Sequence, residues 1–235
     1  MALRNRKTTQ SESDNNIFWT TMADLLLGLA IIFMTLFVLA MTGFTQQSLE
    51  QKKQQIEISK ELIENLKDAN IDAQVDEMTG DIKISDLELF ELGSYNLSPK
   101  GKVYLDKLIP IYINTIFSKK ELIDEVDNII VQGHTDSQTY SGIKDPNLGY
   151  MKNMELSLQR ANAVADYMFR TGYDKKYSEK LREILTVEGK SYSEPILVNG
   201  KEDYNKSRRV ELRLKVKNVD VTEVLVHGVQ SLDDK

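Results

Sequence analysis

A chain of 235 residues with 30 basic and 36 acidic side chains carries a net charge of −6 and no basic block, which argues against nucleic acid as its ligand. Cysteine is absent and only His134 and His227 are available, which excludes a disulfide framework or a thiolate site and disfavours a histidine-rich metal centre. The length suits one membrane anchor followed by one globular domain of ordinary size.

Residues 1–16 form a short polar tail that includes Arg4, Arg6 and Lys7. From Leu25 to Phe44 the run LLLGLAIIFMTLFVLAMTGF holds no charge. At about 1.5 Å per helical residue it matches a bilayer core of about 30 Å, so residues 17–44 are assigned to a single transmembrane helix. A cleaved signal peptide ending after Ala40 is the bland alternative, but its apolar core would be only about 7 to 15 residues long. The basic residues before the span lean towards a cytoplasmic N-terminus, although Lys52 and Lys53 follow it closely. That orientation places the remainder of the chain in the periplasm or cell-wall space.

Asp24 is the only ionisable residue between Asp14 and Glu50, and it stands at the head of the apolar run. An acid near hydrocarbon costs roughly 2.5 to 3.5 kcal/mol at a helix centre, so its default reading is an ion-handling site. The competing reading is a headgroup-level helix cap. Phe18 and Trp19 favour the deeper placement, because aromatic rings prefer the interface and lie about a turn before Asp24.

Residues 45–72 read as a polar helical linker. Leu49, Ile56 and Ile63 recur every seven residues, with Leu62 and Leu66 beside them, which suits either a homodimer seam or a solvated spacer. Residues 73–217 alternate strand and helix signals. Ala73 to Asp76 and Asp81 to Ile84 flank a turn, and Ser98 and Pro99 start a helix with Leu105, Leu108, Ile109, Tyr112 and Ile116 facing inwards. Asn128 to Gln132 is a short strand followed by a polar loop. Leu156 to Thr171 reads as the second long helix, with Ala161, Val164, Ala165 and Met168 inwards. Leu185 to Glu188 and Val210 to Val216 complete the strands. The expected fold is α/β, a mixed sheet covered by two main helices. Residues 218–235 form a tail in which 221–229 suggests an extra strand or helix.

Gly133, His134, Thr135 and Asp136 follow a hydrophobic strand, Asn153 to Ser157 lead to Arg160 and Ala161, and Ser207 to Val210 open the last strand. Together with Phe90, Gly93 and Leu97 before the first helix, these motifs resemble the C-terminal domain of the OmpA family. The resemblance implies a peptidoglycan-binding domain that grips the diaminopimelate of the stem peptide. That group is zwitterionic, and Asp136 for its ammonium with Arg160 for its carboxylate supply the complementary charges. Asn153 and Arg208 would add polar contacts, and Thr135 and Leu156 would shape the wall. The plain alternative is that Asp136 pairs with Arg160 or Arg209 only to settle loops. Two features depart from the family pattern: a long loop over residues 137–152 and Ser207 in place of Asn. His134 is read as structural, since no nucleophile constellation accompanies it.

Trp19, then Ala23, Asp24 and Leu25 opening the span, resemble the MotB family of stator subunits, which includes the ZorB subunits of Zorya anti-phage systems. The resemblance implies a peptidoglycan-anchored subunit of an ion-driven motor. It would be a homodimer within a ring of a multi-span MotA-like partner, with Asp24 on the path of a transported proton or sodium ion. No other cofactor and no enzymatic activity are expected. A passive envelope-to-wall tether is the alternative function.

Overall fold

The computed structural model describes residues 6–91, 93–118, 123, 126–138 and 142–217. The suggested element at 221–229 lies outside the described residues, as does 139–141 of the expected insertion. The chain divides into two compact units, the N-terminal residues to Leu49 and residues 50–218.

In the first unit the backbone belongs to helix α1 (Arg6–Asp68). Its Ile17–Gly43 portion has a mean hydropathy of 2.6 and no buried residue, and it is long and apolar enough to cross a membrane. Three threonines in this stretch return their hydroxyls to the helix. Thr21 Oγ1 donates to the Phe18 carbonyl at 2.9 Å, Thr35 to Ile32 at 2.8 Å and Thr42 to Leu39 at 2.9 Å. No hydroxyl among these three therefore needs water, which a helix in hydrocarbon requires. The Asp24 side chain is exposed among exposed apolar neighbours.

The second unit is built on a five-stranded sheet in the order β1-β2-β7-β3-β4. Its strands are β1 (Gln74–Val75), β2 (Ile82–Ser85), β3 (Val126–His134), β4 (Leu185–Gly189) and β7 (Arg209–Val216). β3 runs parallel to β4, and the other pairings are antiparallel. Alternation sends Val210, Leu212 and Leu214 to the helix-covered face, beside Ile129 and Val131 of β3 and Ile82 and Ile84 of β2. Onto that face pack α3 (Pro99–Ser118) and α4 (Pro146–Met168), with α5 (Ser178–Ile184) contributing Leu181 and Ile184.

Two differences from the sequence reading have clear causes. The second long helix starts at Pro146, ten residues before Leu156, because Asp145 caps it. The Asp145 carboxylate accepts the Asn147 N–H at 2.9 Å, and Pro146 occupies the first helical position, where its missing donor costs nothing. Residues 146–152 of the expected 137–152 loop are therefore helix. The second difference concerns the linker. Ile58, Leu62 and Leu66 of α1 are buried in the core of this unit, so the end of the helix joins the cover of the sheet. Ser59 Oγ donates to the Asp76 carbonyl at 2.8 Å, and Asn65 Nδ2 donates to Thr115 Oγ1 at 2.9 Å. Ile56 and Ile63 stay half-buried and line an open groove with Lys60, Glu64 and Met78.

Candidate functional site

Glycine decides how α4 meets the sheet. A Cβ on Gly133 of β3 would lie 2.0 Å from the Ser157 carbonyl oxygen, and one on Gly189 of β4 would lie 2.8 Å from Ser157 Oγ. Only hydrogen at both positions lets the helix backbone touch the strands, and Ser157 Oγ then accepts the Ser191 N–H at 3.1 Å. With that seat fixed, Arg160 projects one turn further along α4 towards the end of the sheet where β3 stops.

Four charged side chains meet there. Arg160 is 3% exposed and its Nη2 lies 3.1 Å from Asp86 Oδ1. Its Nε donates to the Ser94 carbonyl at 3.1 Å, and its guanidinium covers the Phe90 ring at 5.3 Å from the centroid. Arg208 bonds Asp136 through Nη1, approaches Asp86 Oδ2 at 3.8 Å through Nε, and donates through Nη2 to Asn205 Oδ1 at 2.5 Å. Asp86 thus sits between two guanidinium groups. Two carboxylates and two guanidiniums balance in charge, which is the condition for burying such groups together. Burial pushes the Asp86 carboxyl above its usual range, partly offset by the charges of Arg160 and Arg208 and reinforced by Asp136.

The structure therefore brings Asp136, Arg160 and Arg208 together, with a pairing that differs from the simple alternatives. Asp136 engages Arg208, whereas Arg160 engages Asp86. Arg209 turns to the opposite sheet face, where its Nε bonds Glu211 Oε1 at 2.5 Å. Thr135 is buried beside Asp136, its N–H donating to the Ser191 carbonyl at 2.8 Å while its hydroxyl has no partner among the described residues. Asn153 is buried and spends its amide on the Gly149 carbonyl at 3.3 Å, within its own helix. Leu156 is half-buried one turn before Arg160. Asp24 belongs to the other unit.

Asp86 was missed because it sits in the first turn of the short helix α2 (Asp86–Leu89), where an acid reads as an ordinary helix-start residue. The rim was missed as well. Asn199 and Gly200 both have positive φ, at 52° and 76°, and turn the hairpin of β5 (Leu197–Val198) and β6 (Lys201–Glu202). An Asn-Gly pair is a strong hairpin signal. The hairpin delivers Glu202, which accepts from the Ser137 N–H at 3.2 Å and bonds its hydroxyl, so the residue after Asp136 is held from across the site. Asp203 caps the next helical turn, α6 (Tyr204–Ser207), from which Asn205 reaches Arg208.

On the outer sheet face His134 is buried with Nε2 3.0 Å from Gln132 Oε1. Burial and the nearby Arg209 charge lower its pKa to about 4, so it is neutral at pH 7. Glu211 is pushed up by burial, but the Arg209 hydrogen bond and charge outweigh this and hold it below the usual range. Glu211 Oε1 lies 3.9 Å from the same Nε2, so the ring sits between Gln132 and Glu211.

Residues 89–209 match the OmpA family. A Zorya protein ZorB of Escherichia coli (strain Crooks) is 31% identical over 219 residues, covering 88% of this chain and 92% of that protein. A second ZorB, from an Escherichia coli ETEC strain, is 27% identical over 222 residues, covering 88% of this chain and 84% of that protein. Among solved structures, a MotB-like protein of Desulfovibrio vulgaris shares the fold with a TM-score of 0.51 at 22% identity, over 72% of this chain and 96% of that one. By its matched domain and by a relative 31% identical over 88% of its length, the chain belongs to the OmpA family and to the family of the Zorya protein ZorB.

Proposed function

We infer that this chain is the peptidoglycan-anchored, single-pass subunit of an ion-driven stator in a Zorya-type anti-phage assembly. The observation that carries the reading is the presence, on one polypeptide, of an acid inside its apolar span and a buried zwitterion-like cluster in its folded domain. An ion path gives Asp24 a use, and wall binding gives one to the cluster. The work is divided accordingly. Asp24 exchanges a proton or sodium ion with a pathway shared with a multi-span MotA-like partner, and each change of its charge biases the packing of the two subunits. The domain holds the stem peptide, with Asp136 facing the ammonium of diaminopimelate and Arg160 its carboxylate, and so supplies the fixed point against which torque acts. Ile56 and Ile63, left half-buried on α1, are the face on which a second copy would seat.

The test is Asp24→Asn, expressed with its neighbouring genes in cells challenged by phage. The variant should insert into the inner membrane and co-sediment with cell wall as the parent does, yet plating of phage should return to the level of cells lacking the system. Full protection by Asp24→Asn would leave only a passive wall tether.

A further inference from the structure

Arg160 and Arg208 each rest against an internal carboxylate. Arg160 is almost wholly buried, and Asp86 lies against it at 3.1 Å while its second oxygen lies 3.8 Å from Arg208. A ligand carboxylate seeking Arg160 finds an internal carboxylate already in that place. Among the described residues, the two guanidiniums are what holds the Asp86 side chain in place. Its backbone, by contrast, is fixed, with the Asp86 N–H donating to the Arg208 carbonyl at 3.1 Å and its own carbonyl accepting from Phe90 at 2.9 Å. The side chain can therefore rotate away without unfolding α2.

We propose that Asp86 is a built-in stand-in for the ligand carboxylate, so that binding of a stem-peptide zwitterion at this site is an exchange in which the incoming carboxylate displaces Asp86 from Arg160. The proposal rests on the peptidoglycan reading and adds a specificity-determining residue to it. Exchange explains how the domain keeps the buried Arg160 paired between binding events, since an unpaired buried guanidinium would be strongly unfavourable. It also sets selectivity. A ligand with an ammonium but no free carboxylate has nothing to offer Arg160 in return for Asp86, and is rejected. The raised pKa of Asp86, caused first by burial, is in keeping with a carboxylate whose charge is incompletely compensated in its resting place.

The experiment uses the full-length protein in detergent micelles, titrated calorimetrically with a diaminopimelate-containing muropeptide and with the same muropeptide amidated at the diaminopimelate carboxylate. Asp86→Asn removes the competing charge and should bind the free-carboxylate muropeptide about tenfold more tightly than the parent, a change of about 1.4 kcal/mol. Asp86→Glu, which keeps a competing carboxylate, should gain nothing. A merely structural Asp86 would give the opposite sign, because loosening the arginines weakens binding. If the parent binds, Asp136→Ala does not, and Asp86→Asn is unchanged or weaker while still unfolding cooperatively, the exchange is overturned and the wall-binding reading stands. Absence of binding by parent and Asp86→Asn alike overturns both. Asp86→Ser gives the same comparison, with the same expected gain, should the amide variant fail to fold.

Discussion

Gly133 and Ser157 are in backbone contact: a methyl group added to the glycine would lie 2.0 Å from the serine carbonyl oxygen. The pair locks α4 to β3 and sets the position from which Arg160 reaches Asp86. Gly133→Ala must push the helix off the sheet, since the obstacle is backbone and cannot rotate aside. The expected loss is about 3 kcal/mol, at the upper end of overpacking costs, measured by denaturant unfolding. Wall co-sedimentation should fall with it. Gly172, where a Cβ meets nothing within 4 Å, is the control position, and Gly172→Ala should leave the seat of α4 unchanged.

Removing Arg160 leaves Asp86 buried with only the more distant Arg208 for a partner. Arg160→Ala should cost about 3 to 5 kcal/mol of stability, as breaking a buried pair does. The double variant Arg160→Leu with Asp86→Leu should recover much of that loss while still failing to bind wall. Stability and binding would then separate in one pair of measurements, unfolding and co-sedimentation.

Stability should also depend on pH through His134. Its folded pKa of about 4 lies below the ordinary value near 6.5, so between those values the unfolded chain binds the extra proton. The contribution of the neutral histidine is complete above about pH 6.5 and is lost as pH falls towards 4, an effect on the order of 3 kcal/mol. Asp81 and Asp86, whose burial raises their pKa, act in the opposite sense, because the fold takes up their protons first as pH falls. His134→Gln should therefore flatten the decline between pH 6.5 and pH 4, as read by thermal unfolding across that range.

The end of α1 is part of the folded unit. Leu62 is fully buried between Ile58 and Leu66 on one face of the helix, so Leu62→Ala should cost about 2 to 5 kcal/mol. A fragment beginning at Glu50 should unfold cooperatively at a higher temperature than one beginning at Ala73, which lacks this face. Equal melting temperatures for the two would mean that the helix contributes nothing to the core.

Local chemistry settled much of this protein in advance. The uncharged run after Asp24, the period-two pattern of Val210, Leu212 and Leu214, and the Ser98-Pro99 helix start each depend on neighbours in the chain, so span, strand and helix were legible residue by residue. The Asp145-Pro146 cap and the Asn199-Gly200 turn are equally local signals, yet the reading from sequence passed over both. The site is another matter. Asp136, Arg160 and Arg208 were marked by the company they keep in family motifs, but which acid meets which arginine depends on strand register and helix seating. Ser85 pairing with Arg209 carries Asp86 alongside Arg208, and Gly133 under Ser157 carries Arg160 to Asp86. Charges separated by 74 positions along the chain choose partners only when the fold has fixed their distances, because the energy of a buried pair turns on ångströms of separation rather than on sequence.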